Sequence, residues 1–325
     1  MDIGVALVEA LAKGEDATAA LARGADEDEL RRTLRRTTFT IVCVENEKGR
    51  EIVERGDLCE RKNGRGVDPN RNWAVDWGVK EKDYDAKEEY PGSAPFSEPE
   101  SLMLKNLIED VKPHAVVNWH SGMSALFTPY DHVARAPTGP GAEAMLKFIQ
   151  KIDKAHCGGK CVLGSGGKGV GYLAHGTAAD YIYDVLKVPV VYTWEVYGDD
   201  DASYEDCFRA FNPTTKEKYE KLVKDWVGAP ITLVSMLLQH PDIVLSEPSV
   251  APKNAINDGS TSERKSGFAL RRSFVADAPT RVNYTTYAFW LSAAIGGCAA
   301  YVMRRRRVRR AHALNTVPNR RSTGA

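Results

Sequence analysis

Gly64-Arg65-Gly66-Val67-Asp68-Pro69-Asn70-Arg71-Asn72-Trp73 is the stretch around which the chain is organised. It sets two amides and a guanidinium on one short turn after a Gly-rich approach, which is hardware for holding an anion. An Arg fork reads a carboxylate through two parallel hydrogen bonds, and a neighbouring Asn amide adds a donor without adding charge. A free carboxylate is therefore the expected ligand of Asn70 and Arg71. Taken alone, the same run also reads as a surface turn whose Asx residues cap a helix and whose Trp73 packs inward.

Three later stretches work with this turn. Asn118-Trp119-His120-Ser121-Gly122 follows an apolar run, and Ala115 to Trp119 reads as a strand with His120 at its C-terminal edge, where open α/β sheets place their ligands. Val188 to Trp194 reads as a second strand, delivering Glu195 at its end. Between them, Gly171-Tyr172 stands eight residues before Asp180. Other elements follow from periodicity and punctuation. Helices are expected over Ile3 to Leu11, from a Ser97 N-cap to about Asp110, over Ala142 to His156, over Ala178 to Val185 and from Thr214 to about Leu238. Phe39 to Val44 is a further expected strand, and Gly158 to Gly171 an expected long Gly-rich loop. Its Gly164 to Gly169 run lacks the spacing of a phosphate-binding loop.

In this order and at these spacings the motifs resemble the zinc metallocarboxypeptidases of the carboxypeptidase A/B and N/E type, from about Ile3 to about Trp226. The resemblance implies an α/β fold with a mixed, mostly parallel central sheet flanked by helices, here without the family's first strands. It implies removal of single residues from peptide or protein C-termini with Zn2+ as cofactor. Asn70 and Arg71 match the carboxylate clamp, and Arg61 the arginine that steadies the oxyanion of the scissile carbonyl. Tyr172 matches a tyrosine on a loop that closes over substrate. His120 matches the third zinc ligand, and Glu195 the carboxylate that takes the proton of zinc-bound water. Asp131, eleven residues after His120, matches the acid that N/E-type members set against a basic side chain, which points to C-terminal Lys or Arg; Ala179 stands where another basic-selective branch carries an acid.

One departure stands out. The family's other two zinc ligands come from a His-x-x-Glu motif upstream of a helix like Ile3 to Leu11, and no histidine precedes His114. A lone imidazole does not hold zinc against water. Two accounts follow: a sequence that begins at an internal Met, or an inactive relative that keeps a pocket for peptide C-termini. The first explains together the missing ligands, the missing signal peptide and the missing early strands.

Composition sets the remaining bounds. With 325 residues, 43% hydrophobic and 27% charged, the chain has enough apolar material for one sizeable core. A catalytic domain is expected over 1–240, a stalk over 241–283, a transmembrane helix over 284–303 with aromatic residues at both ends, and a basic cytoplasmic tail over 304–325. The catalytic body would then be lumenal or extracellular, the membrane would be a partner through that helix, and the Arg304 to Arg310 run would not serve nucleic acid. Six cysteines without a CxxC pair exclude a zinc ribbon. Cys157 and Cys161 could bridge to each other or to Cys59 and Cys207.

Overall fold

The computed structural model describes residues 1–203 and 205–244. In chain order it contains helices α1 (Asp2–Ala12), α2 (Glu15–Ala19), α3 (Glu27–Leu34), α4 (Glu47–Glu54), α5 (Ala86–Glu89) and α6 (Pro99–Val111), then strands β1 (Ala115–His120) and β2 (Met123–Thr128). Helix α7 (Pro140–Ile152), strand β3 (Val162–Ser165), helices α8 (Gly166–Gly169) and α9 (Ala178–Asp184) and strand β4 (Val190–Tyr197) follow. Helices α10 (Cys207–Phe211), α11 (Lys216–Trp226) and α12 (Ala229–Val234) complete the order.

The four strands form one mixed sheet in the order β1-β4-β2-β3. β1 runs parallel to β4 and β2 parallel to β3, while β2 and β4 are antiparallel. Strand alternation assigns the two faces. Val190, Tyr192 and Trp194, with Ala115, Val117 and Trp119 beside them, pack into the large core beneath α7, α11 and α12. Val191 and Val116 point the other way, into a second core that Trp73, α9 and α6 cover. The periodicity of α7 does what its spacing predicts: Met145, Phe148, Ile149 and Ile152 are all buried against the first face. A third cluster joins α1, α2 and α3 to α12 through Leu7, Leu11, Leu30, Leu34 and Ile231.

Several expectations are corrected. The fold class as expected included a membrane-crossing helix. No helix among the described residues is long and apolar enough to cross a membrane. α6 and α7, with 13 residues each, fall well short of the roughly 20 that a bilayer requires. The segment assigned to that span, 284–303, lies outside the described residues, as do the basic tail and most of the stalk. Phe39 to Val44 has the alternation of a strand, with Val42 and Val44 exposed, yet it is not among the strands of the sheet. The Gly158 to Gly171 loop contains β3 and α8. The long helix expected from Thr214 is interrupted between Trp226 and Ala229. Pro230 restarts it in the first turn of α12, where its missing N–H costs nothing. Glu98, not Ser97, is the N-cap of α6; the Ser97 hydroxyl donates to the Glu98 carboxylate instead.

Candidate functional site

The alternation that buries Trp119 and Trp194 on one face turns their C-terminal neighbours to the other. His120 and Glu195 are partners in the parallel register, and their Nδ1 and Oε1 atoms lie 3.6 Å apart. His120 ends β1, whereas Glu195 lies two residues before the end of β4, which runs on past the Trp194 terminus expected from the sequence. Burial, reinforced by the Arg61 charge, holds the His120 pKa down to about 4, so its imidazole is neutral at physiological pH. Burial pushes Glu195 up to about 7, against the pull of Arg61. Glu195 Oε2 is buried without a hydrogen-bond partner, an acceptor left over at the heart of the site.

The turn from Gly64 to Trp73 is built by its own polar side chains and those beside it. Asn63 Oδ1 accepts from the N–H groups of Arg65 and Val67, and its Nδ2 donates to Glu98 and Glu100. Asp68 caps the short 3-10 turn Pro69–Arg71 by accepting from the Asn70 N–H at 3.0 Å. Its carboxylate meets Arg61 at 2.6 Å and lies 4.0 Å from Arg71. Asn70 Oδ1 accepts from the Ala178 N–H at 2.9 Å, fastening the turn to the start of α9. The Arg71 guanidinium is buried; burial opposes its charge, but Asp68 and Glu89 outweigh that, and the Tyr172 phenol adds to them, so its pKa is raised.

Tyr172 stands 39% exposed on the loop between α8 and α9, close enough to Arg71 to act on its charge. The loop returns to the body at Gly176, whose carbonyl accepts from the Trp73 N–H at 3.0 Å. Gly176 has φ +68°, and a Cβ there would sit 2.3 Å from the Arg71 carbonyl oxygen. Only glycine fits. Asp131 is buried at the end of the segment after β2. Burial first and Asp180 second push its carboxyl well above the usual range. Asp180 sits within a cage: it accepts from the N–H groups of Asp131 and His132 and pairs with His132 Nδ1 at 2.6 Å. A Cβ on Gly166 would lie 1.9 Å from Asp131 Oδ1, so Asp131 is backed by bare backbone.

The expected site residues therefore share one region: Arg61, Arg71, Asp131, His120 and Glu195 perturb one another electrostatically, and Tyr172 acts on Arg71. Asp68 and Glu89 are further members without a role in the sequence reading, and Asp180, there only the landmark for Tyr172, is a third. Asp68 lies inside the quoted motif, and its place before Pro was the available signal. Glu89 lies in an acidic, aperiodic stretch that carries none.

The donor set does not fit zinc. Among the described residues the Glu195 carboxylate stands nearest His120, and the other imidazoles are held elsewhere. His132 is engaged with Asp180, His156 with the Asp225 carbonyl and Thr232, and His175 with Glu81. Among the described residues the His, Cys, Asp and Glu atoms that come together at metal-binding range are those of Asp153, Cys157 and Cys161, and both sulfurs are spent in a disulfide. The second disulfide joins Cys59 to Cys207, so the two pairings left open by the sequence resolve to Cys59–Cys207 and Cys157–Cys161.

Comparison with known proteins gives the family. The model of the zinc carboxypeptidase family matches residues 17–221, and the chain belongs to that family. It is 32% identical over 145 residues to zinc carboxypeptidase A 1 of Anopheles gambiae, covering 42% of this chain and 32% of that protein. It is 28% identical over 142 residues to a zinc carboxypeptidase of Simulium vittatum, covering 40% of this chain and 44% of that one. The chain thus spans less than half the length of these relatives. The crystal structure of carboxypeptidase A from Helicoverpa armigera superposes with a TM-score of 0.50 at 23% identity, covering 60% of this chain and 50% of that one; the likeness is one of fold.

Proposed function

We propose that the protein is a metallocarboxypeptidase that removes single residues from peptide or protein C-termini, and that the described residues supply the part that holds the substrate's end. The observation that carries this reading is the buried Arg71 guanidinium beside Asn70, in the same region as His120, Glu195 and Tyr172. Arg71 and Asn70 bind the terminal carboxylate, Arg61 steadies negative charge on the adjacent carbonyl, and Tyr172 covers the bound residue. Glu195 holds or takes a proton beside His120. Zinc is the cofactor that the family implies, and among the described residues His120 is the imidazole beside Glu195.

Lys or Arg is the proposed C-terminal residue. Asp131 is poised to receive a cation: burial and the neighbouring Asp180 push its carboxyl up to about 7, and a basic side chain placed beside it favours the ionised form. Proteins or peptides of the secretory pathway or the cell surface are the proposed substrates, in keeping with two disulfides.

The test is release of the last amino acid from matched peptides by the full-length protein. Free acids ending in Lys are cleaved in preference to those ending in Leu, amides are resistant, and Asp131→Asn removes the Lys preference. Equal cleavage of acids and amides would refute the reading.

A further inference from the structure

The clamp is already neutralised from within. Arg71 Nη2 donates to Glu89 Oε1 at 2.8 Å, and Arg71 Nη1 donates to the Asn70 carbonyl at 3.1 Å. Arg61 is paired with Asp68. Two guanidiniums thus face two carboxylates, Asp68 and Glu89, and an arriving carboxylate turns the cluster net negative. One of the residents has to yield. The Asp68 side chain is 4% exposed and carries the turn's cap, whereas that of Glu89 is 24% exposed at the end of α5 and can swing into water.

The segment that presents Glu89 is fastened along its length. The Tyr90 carbonyl accepts from the Asp68 N–H at 2.9 Å. The Pro91 carbonyl accepts from Asn72 Nδ2 at 2.7 Å and from Trp77 Nε1 at 3.0 Å. Lys62 Nζ donates to the Lys87 carbonyl. Further up the same strap Glu81 pairs with His175 Nε2 at 2.9 Å, three residues beyond Tyr172. One strap, 76–91, therefore touches the clamp through Glu89 and the Tyr172 loop through His175.

We propose that Glu89 is an internal competitor for the carboxylate clamp: its carboxylate occupies Arg71 in place of a ligand's, and its departure sets the affinity of the site. This rests on the reading of Asn70 and Arg71 as a carboxylate clamp. The alternative role for Glu89, orienting Arg71 for the ligand, predicts the opposite change in affinity when its charge is removed.

Calorimetric titration of the wild-type chain and Glu89→Gln with an acetylated tripeptide ending in Lys, as free acid and as amide, separates the possibilities. Glu89→Gln binds the acid about tenfold more tightly than wild type, a gain of about 1.4 kcal/mol, with no change for the amide. If both proteins prefer the acid but Glu89→Gln binds it no better, or worse, the competitor is refuted and the clamp stands. If neither protein distinguishes acid from amide, the clamp fails and the competitor with it. Should Glu89→Gln not fold, Glu89→Asp keeps the charge and shortens the reach by one methylene; it tightens acid binding by a smaller factor, and unchanged affinity overturns the proposal.

Discussion

His120 and Glu195 stand opposite each other in the register of β1 and β4, one residue beyond the Trp119 and Trp194 pair, whose rings meet edge to face at 5.0 Å on the opposite side of the sheet. Because side chains alternate with period two, a one-residue slip would bury the histidine and the glutamate and expose the tryptophans. The aromatic pair thus locks the polar pair to the site face. Trp194 is fully buried, so Trp194→Ala is expected to cost about 3–5 kcal/mol, read as a fall in the denaturation midpoint. A loss below about 1 kcal/mol would show that this pair does not fix the register.

Gly176 binds the Tyr172 loop to the carboxylate turn. In Gly176→Ala the new Cβ meets the Arg71 carbonyl oxygen in a backbone conformation that disfavours side chains. A loss of about 1–3 kcal/mol is expected, together with weakened carboxylate binding, since relief of the clash moves Arg71. Unchanged melting and peptide binding would contradict the close approach.

The Cys59–Cys207 disulfide spans 148 residues and tethers the loop carrying Arg61 to the start of α10, whereas Cys157–Cys161 spans four. Loop-closure entropy assigns about 5 kcal/mol to the first and about 2 kcal/mol to the second. Replacing Cys59 and Cys207 with Ser should lower the midpoint of unfolding far more than the same change at Cys157 and Cys161. Equal effects would disprove the ranking.

Glu45 gives the stability a pH dependence. Burial first, then Glu100 and Asp68, push its pKa from 4.5 up to about 7. Between those values the folded chain keeps a proton that the unfolded chain has lost, so this contribution to stability is present at low pH and falls away as pH rises through the window. Glu45→Gln removes that slope: the variant matches wild type near pH 4 and exceeds it near pH 8 in denaturant titrations. A wild-type advantage at the higher pH would reverse the sign and refute the assignment.

How far the sequence reached depended on the kind of signal. β1, β4 and α7 were legible because each is a short apolar run or a clean helical stripe, and His120 at the end of β1 and Glu195 towards the end of β4 followed from them. β2, Met123–Thr128, begins directly after Gly122 and was hidden by the His120-Ser121-Gly122 motif. β3 was hidden by glycines, which lower strand propensity without forbidding a ladder. Phe39 to Val44 failed for the converse reason: strand composition is local, but a strand requires a partner. Within the site, Arg71, Asn70, His120 and Glu195 each carried a chemical signature. Glu89 acts through a tertiary contact with Arg71 alone and nothing in its neighbours announces it, while Asp180, legible as a landmark, gains its role only from its contact with His132.

The most direct test of the carboxylate clamp compares wild type with Arg71→Lys, which keeps the charge and loses the two-pronged fork. Each is titrated with one Lys-terminated peptide as free acid and as amide. The wild-type chain should favour the acid by about tenfold or more, and Arg71→Lys should lose most of that preference while binding the amide as before. An acid preference that survives the substitution intact, or that is absent from the wild-type chain, would contradict the account.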